Sequence, residues 1–237
     1  MKKILFIILS LAFVSLNAQN LQLHYDFGRN IYSDQESGRQ KVTATFEQFK
    51  ADDYGNFFYF IDLDLFHNGM AGAYTEFSRE FNVGKKGFAA HFEYDGGLCS
   101  FHNSAYSAKF QHAALIGPAY NWASGDFSKT FSVQALYKQY FKGEGAGAYA
   151  SVQLTGVWGM DLAGGKCRFS GFIDFWRGEK GNGHGQLVVL SEPQFWYNFN
   201  SHASLGTEFE ISNNFVTNLY DDKSFFINPT LAFKWNF

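Results

Sequence analysis

The chain has 237 residues, of which 17% are charged and 20% aromatic, and its formal net charge is −3. A mildly acidic chain is a poor ligand for nucleic acid, so we expect no nucleic-acid partner. Beyond residue 18 no apolar run approaches the roughly 20 residues that a membrane-spanning helix needs, so strands would have to make any crossing.

The first 18 residues have the features of a secretory signal peptide. Lys2 and Lys3 supply the positive start, residues 4–16 are apolar, and the small residue Ala18 ends the segment. We therefore expect an exported chain in which residues 19–237 form a single all-β domain. Cys99 and Cys167 allow one disulfide at most, and the sequence leaves their pairing open.

From residue 19 onward, apolar residues recur at every second position, which is typical of strands with one apolar face. Twelve such segments can be placed, at residues 21–27, 42–46, 57–65, 75–81, 88–94, 106–118, 131–137, 152–160, 169–175, 187–199, 205–211 and 227–237. An even number of strands returns the chain to its starting side, as in bacterial single-chain barrels. The pattern predicts a transmembrane antiparallel up-and-down β-barrel of about 12 strands.

The connections between these segments also fit a membrane barrel, which has short periplasmic turns and longer outer loops. The predicted outer connections are residues 30–40, 67–72, 96–105, 142–147, 177–185 and 213–224. The predicted inner connections are residues 51–56, 82–86, 121–128, 162–166 and 200–202. Most of the inner connections are the shorter ones, which agrees with an N-terminus on the inner side.

Alternation alone does not distinguish a membrane barrel from a soluble barrel of the lipocalin type, which buries its apolar face. Here the segments are long for a soluble sheet, and their polar faces carry acids and amides with little Lys. The last strand also ends on Phe237, after Phe233 and Trp235, which resembles the C-terminal signal read by the barrel-assembly machinery. We expect a barrel in the outer membrane of a Gram-negative bacterium, surrounded by outer-membrane lipid.

Two stretches resemble the nucleoside-specific channel-forming (Tsx-like) outer-membrane proteins. One is the hairpin of residues 45–62, with the turn Asp52-Asp53-Tyr54-Gly55-Asn56, and the other is the strand of residues 75–81. The ending at residues 231–237 is also similar to theirs. The resemblance implies a narrow twelve-stranded channel that admits nucleosides, in a divergent member of Bacteroidetes type. The outer loops are shorter than in that family and the sixth segment is weak, which leaves the solute open.

Side chains on the parity opposite the apolar stripes would face the barrel lumen. The candidates for the lumen and solute path are Phe58, Phe60, Asp62, Asp64, Glu76, Glu80, His91, Glu93, Lys138, Arg168, Asp174, Trp176, Glu192, Trp196, Glu208 and Glu210. The charged ones either form structural ion pairs or line a permeation path from which acids repel anions. The aromatic ones either plug the lumen or stack on a flat base or sugar ring.

Motifs for other chemistry are weak. His91-Phe92-Glu93 has no second ligand cluster at a usable spacing, and the glycine-rich residues 143–147 lack the lysine and the helix of a phosphate loop. We expect no metal, no cofactor and, without a recognisable nucleophile motif, no enzyme. The expected function is passive diffusion of small hydrophilic solutes, nucleosides among them. The alternative is a non-conducting structural or surface-binding barrel.

Overall fold

The fold is that of a computed structural model, which describes residues 19–36, 38–66, 69–84, 87–100, 107–109, 111–143, 146–179, 185–215 and 224–237. The predicted signal peptide, residues 1–18, lies outside the described residues. Nearly all of the described chain is antiparallel sheet, with one short α-helix, α1, at Gly28–Ile31 and one 3₁₀ turn at Ala163–Gly165. No helix in these ranges is long and apolar enough to cross a bilayer.

The strands follow one another around the sheet in nearly sequential order. In the described ranges they are β1 Gln19–Asp26, β2 Val42–Asp52, β3 Gly55–Phe66, β4 Gly69–Asn82, β5 Phe88–Ser100, β6 Ser107–Lys109, β7 Ala113–Ala123, β8 Lys129–Tyr140, β9 Tyr149–Leu162, β10 Cys167–Glu179, β11 Gly185–Ser191, β12 Gln194–Asn198, β13 Ala203–Asn213 and β14 Phe225–Asn236.

The sheet closes on itself because β1 pairs with both β2 and β14. At two positions around the wall, a pair of strands takes the place of a single strand. β6 and β7 both pair with β5, and β11 and β12 both lie between β10 and β13. The wall is therefore a closed antiparallel barrel of twelve strands, which confirms the predicted fold class. Among the described strands, all except the three-residue β6 are paired on both sides, as strands that lie in hydrocarbon have to be.

The tenth predicted segment was expected to be continuous from residue 187 to residue 199, and this is wrong. It breaks between β11 and β12 at Glu192 and Pro193, since proline has no N–H to donate to the ladder. The barrel still closes across the break, because the Phe209 N–H donates to the Pro193 carbonyl at 3.0 Å. The weak sixth segment is divided in the same way, into β6 and β7.

The two faces of the wall differ as the alternation predicts. On β1, Leu23 is 46% exposed on the outer face, whereas the inward-facing Gln22 and His24 are 1% and 4% exposed. On the neighbouring strands, Phe209 and Phe233 also lie outside. This arrangement is the reverse of a soluble barrel. An outer surface of this kind is suited to lipid.

The connections divide into a short-turn end and a long-connection end, which we name the periplasmic and extracellular ends by the usual rule for such barrels. The periplasmic turns are residues 53–54, 83–87, 124–128, 163–166 and 199–202, close to the predicted positions. Three extracellular connections were predicted too long. β4 begins at Gly69 rather than after residue 72, β5 continues to Ser100 rather than ending before residue 96, and β10 continues to Glu179 rather than ending before residue 177. The helix α1 in the first connection was not predicted, since four residues carry no readable periodicity.

Candidate permeation lumen

The strands place all of the candidate lumen residues at inward-facing positions. Register shows this directly, because residues that are paired across neighbouring strands point to the same face. Phe60 pairs with Glu76, Glu76 pairs with Asp95, and Asp95 lies on the same face as Lys138, to which it is bonded. On the opposite side of the barrel, Gln194 pairs with Glu208 in the same way.

Part of the inner wall is lined by partly exposed carboxylates, which we call the acidic sector. These side chains face inward and are only partly buried, so each of them borders a space large enough for water. The acidic sector consists of Asp62 and Asp64 on β3, Glu76 on β4, Glu93 on β5, Asp174 on β10, Glu192 in the break after β11, and Glu208 and Glu210 on β13.

Hydroxyl and amide side chains hold these carboxylates in place. Thr45 donates to Asp62 at 2.5 Å, Thr155 donates to Asp174 at 2.5 Å, and Gln194 donates to Glu208 at 2.5 Å. Charge-assisted hydrogen bonds of this kind are short and strong. They fix the direction of each carboxylate along the wall without neutralising its charge.

The lumen carries many more acids than bases. The inward-facing bases on the described strands are three, Lys138, Arg168 and Lys234. The inward-facing acids are thirteen: Asp26, Glu47, Asp62, Asp64, Glu76, Glu80, Glu93, Asp95, Asp161, Asp174, Glu192, Glu208 and Glu210. With neutral histidines, the formal charge of this inner surface is −10. Such a surface attracts cations and repels anions.

Lys138 is fully engaged in the wall. Its Nζ lies 3.0 Å from Asp95 Oδ2, donates to Gln153 Oε1 at 2.9 Å, and sits over the rings of Tyr140 and Trp176 at 5.2 and 5.3 Å. Asp95 and Lys138 are both buried. This ion pair therefore leaves the charge of the acidic sector largely unbalanced.

Three sequence candidates lie in packed networks away from the open space. Glu80 accepts hydrogen bonds from Asn56 and Asn121 at 2.8 and 2.6 Å, and its Oε1 lies 3.0 Å from His91 Nδ1. Trp196 is fully buried and its Nε1 donates to Gln194 at 2.9 Å. Glu80, His91 and Trp196 thus fit the structural interpretation better than the permeation one.

The aromatic candidates Phe58 and Phe60 are half-buried and lie along β3 with ring centroids 6.1 Å apart. Phe60 also approaches Tyr74 at 6.0 Å, and Phe172 and Trp176 are half-buried on β10. These rings border the acidic sector. Together they offer apolar faces beside hydrogen-bond acceptors, which is the combination that a hydrated ring solute needs.

Register brings together residues that no linear motif shows. Carboxylate oxygens of Glu76, Glu93 and Asp95 lie within 4.8 Å of one another, a spacing at which they could hold a cation. In the sequence the nearest possible pair of ligands is His91 and Glu93. In the structure His91 lies between Glu80 and Glu93 in a hydrogen-bonded network.

The two cysteines are free in the structure. Cys99 lies near the extracellular end of β5 and Cys167 begins β10 at the periplasmic end. A bridge between them would have to cross the length of the barrel, and the allowed Cα separation is about 4.4–6.8 Å.

Comparisons with known proteins agree with this architecture. Among solved structures, the NanC porin aligns with a TM-score of 0.58 over 93% of this chain and 99% of that chain, at 7% identity. LpxR from Salmonella typhimurium aligns with a TM-score of 0.50 over 93% and 100% of the two chains, at 9% identity. At such low identities the likeness shows the fold alone, which is that of Gram-negative outer-membrane barrels.

The sequence itself has one informative match. A search of curated protein sequences finds no match. The family model with the description "Domain of unknown function (DUF5020)" matches residues 18–237, which is almost the whole chain. The chain belongs to this DUF5020 family.

Proposed function

We propose that this chain is an outer-membrane channel for passive diffusion of small hydrophilic solutes that are neutral or cationic, with nucleosides as the first class to test. The observation that carries the proposal is the acidic sector. It consists of carboxylates that face inward in a closed wall and remain partly accessible to solvent. An inner surface of this kind favours hydrated contents over a dry core.

The barrel has room for such a path. Twelve strands about 4.8 Å apart and tilted by about 40° give a circumference of roughly 75 Å and a backbone diameter of roughly 24 Å. Inward side chains about 6 Å long on both sides leave at most roughly 12 Å between them. Buried inward-facing side chains such as Leu136, Trp196 and Phe226 fill part of this width, so the open path is narrower in places and suits small solutes only.

The chemistry of the wall suggests which solutes would pass. The excess of acids opposes anions, whereas hydroxyl groups of a neutral solute can donate to Asp62, Asp174 or Glu208. The faces of Phe58 and Phe60 can stack on a flat ring, an interaction worth about 1–3 kcal/mol per base in nucleic-acid binders. The likeness of residues 45–62 to Tsx-like proteins supports nucleosides as the ring-bearing class.

Single-channel recording in planar bilayers tests the proposal. We expect a cation-selective conductance that a nucleoside reduces and a simple sugar does not. Phe60→Ala should keep the conductance and weaken the nucleoside block by about five- to a hundredfold, the equivalent of one stacked ring. Liposome swelling with a panel of solutes gives an independent readout. A wild-type barrel that is silent in both assays would refute the proposal.

A second candidate is a closed barrel that serves as a structural or surface-binding protein. The observation in its favour is the filled part of the lumen, where the inward-facing Leu136, Trp196 and Phe226 are almost completely buried. Ala113, Leu115 and Leu136 even form a small hydrophobic cluster inside the wall. Absence of swelling with every solute would favour this candidate. Recognition of Phe237 by the assembly machinery stays a prediction under either function.

A further inference from the structure

The first extracellular connection folds into the barrel. Its residues 27–36 and 38–41, which we call the mouth loop, contact inward-facing side chains on three strands. Glu36 accepts a hydrogen bond from Asn228 of β14 at 3.0 Å, and Arg39 bonds to Asp26 of β1 and Glu210 of β13. Because all three partners point into the lumen, the loop occupies part of its extracellular end.

The loop fits its seat closely. Tyr32 packs edge-on against Phe226, with ring centroids 5.2 Å apart, and Phe226 is fully buried although it faces the lumen. A Cβ on Gly28 would stand 2.4 Å from the Asn228 side-chain oxygen, so a larger residue there would displace the Asn228 side chain. Glu36 is 3% exposed, which is rare for a carboxylate in a loop.

Arg39 joins the mouth loop to two of these strands, β1 and β13. Its Nη2 lies 2.9 Å from Asp26 Oδ2 and 2.9 Å from Glu210 Oε2. Its Nε and Nη1 add bonds of 3.0 Å to the same two carboxylates. The planar fork of a guanidinium can bridge two carboxylates in this way, whereas a lysine ammonium is a point charge.

The seat is electrostatically unbalanced. One cation, Arg39, faces the three acids Asp26, Glu36 and Glu210, and its Nη1 is 3.8 Å from Glu36. The described residues offer no hydrogen-bond partner to the buried atoms Glu36 Oε2 and Asn228 Oδ1. Without Arg39 the three carboxylates would repel one another, and the loop would leave its seat.

We propose that the mouth loop narrows the extracellular end of the permeation path and that Arg39, by holding it there, determines the size of solute that can pass. This rests on the proposed function that the barrel conducts. Arg39 acts through the loop it anchors, so it is a positioning residue. Solutes excluded by the wild type should enter once the loop is released.

Glu36 gives the seat a dependence on pH. Burial raises the pKa of Glu36 above its ordinary value, and the neighbouring Glu210 and Asp26 act in the same direction, while Arg39 and the Asn228 amide oppose them. The seated loop therefore binds a proton at Glu36 more tightly than a released loop in water does. Lowering the pH toward the raised pKa of Glu36 therefore favours the seated loop, and raising the pH above that pKa favours its release.

Hydrogen–deuterium exchange of the purified barrel measures the seating of the loop without requiring conduction. Arg39→Gln should speed exchange across the mouth loop by about tenfold or more. The loss of a buried ion pair lowers the equilibrium constant for seating the loop by more than about tenfold. Glu36→Gln should slow exchange, since it removes one of three repelling charges and adds an amide donor among the unpaired acceptors. Arg29→Gln is the matched control, because Arg29 is an exposed residue of α1 in the same loop.

Bilayer conductance and liposome swelling then test the effect on permeation. Arg39→Gln should raise the conductance and admit larger solutes, whereas Arg29→Gln should change neither. Unchanged exchange in Arg39→Gln would overturn the anchoring role, and faster exchange with unchanged conductance would overturn the role in size selection. A silent wild type would instead defeat the proposed function, and exchange would still decide whether Arg39 anchors the loop.

Discussion

Replacing Glu192 by glutamine is the most direct test of the acidic sector. Glu192 faces inward at the break between β11 and β12, and its carboxylate has no hydrogen-bonding partner in the described part of the chain. It interacts electrostatically with Glu208 and Glu210 on the neighbouring strand β13 and with Asp62 on β3. Glutamine keeps the shape and removes one charge, so the wall should stay intact while the field in the lumen weakens.

The size of the effect follows from the width of the lumen. An ion on the axis of a lumen roughly 12 Å wide passes about 6 Å from the carboxylate. At that distance a unit charge in water is worth about 0.7 kcal/mol, which is about threefold in the local concentration of a cation. Low-dielectric walls increase this value and salt reduces it, since the Debye length is about 8 Å at physiological ionic strength. Because the same charge lowers the local concentration of an anion by a similar factor, we expect the K⁺/Cl⁻ permeability ratio to fall by about tenfold in Glu192→Gln and by about a hundredfold in the double variant with Glu208→Gln.

Reversal potentials in a KCl gradient across a planar bilayer measure this ratio. The matched control is Asp53→Asn, which removes an exposed charge from the periplasmic turn between β2 and β3, outside the lumen. It should leave the ratio nearly unchanged. An anion-selective wild type, or a double variant with the selectivity of the control, would refute the assignment of the acidic sector to the ion path.

Further predictions concern the wall, the buried ion pair and the mouth loop. Leu231→Arg, near the middle of β14, should destabilise the folded barrel in lipid vesicles by about 2–4 kcal/mol. Phe225→Arg, at the extracellular end of β14 and about 16 Å from Leu231 along the membrane normal, should destabilise it by about 0–1 kcal/mol. The two side chains are 52% and 51% exposed, so equal costs in urea unfolding would contradict a lipid-facing wall. Lys138→Met should cost about 3–5 kcal/mol by leaving Asp95 buried without its cation, and adding Asp95→Asn should recover much of that loss. Lowering the pH toward the raised pKa of Glu36 should increase the protection of the mouth-loop amides, measured as exchange corrected for the intrinsic pH dependence of each amide, and this increase should vanish in Glu36→Gln.

The wall of this barrel could be predicted from the sequence because successive residues of a strand point to opposite faces. Apolar and polar residues therefore alternate along it. On β14, for example, Leu231 and Phe233 alternate with Ala232 and Lys234, and the structure puts the first pair outside. The periplasmic turn between β2 and β3 was equally readable, since Asp53 and Tyr54 separate two alternating segments. Each of these signals is local, so neighbouring residues suffice to specify it.

The arrangement within the lumen depends on contacts between distant residues. Arg39 bonds to Glu210, 171 positions further along the chain, and nothing near Arg39 distinguishes it from an ordinary loop arginine. The same holds for Trp196. Its position in the alternation correctly placed it on the inner face, but the sequence did not show that Lys234 Nζ lies 4.0 Å from the centroid of its ring. Sequence parity therefore assigns a side chain to the inner face without showing whether it borders open space or packs.

The acidic lumen places a condition on any function of this barrel. Isolated carboxylates in a dry interior are very costly, and three inward-facing bases do not balance thirteen inward-facing acids. The remaining charge has to be met by protonation, by water or by cations drawn in from outside. Water and mobile cations both require a connection between the lumen and the surrounding solution, and a surface that holds such cations loosely is also one along which they move. A channel for neutral and cationic solutes satisfies this condition directly, whereas a sealed barrel would need most of the acidic sector to stay protonated at neutral pH.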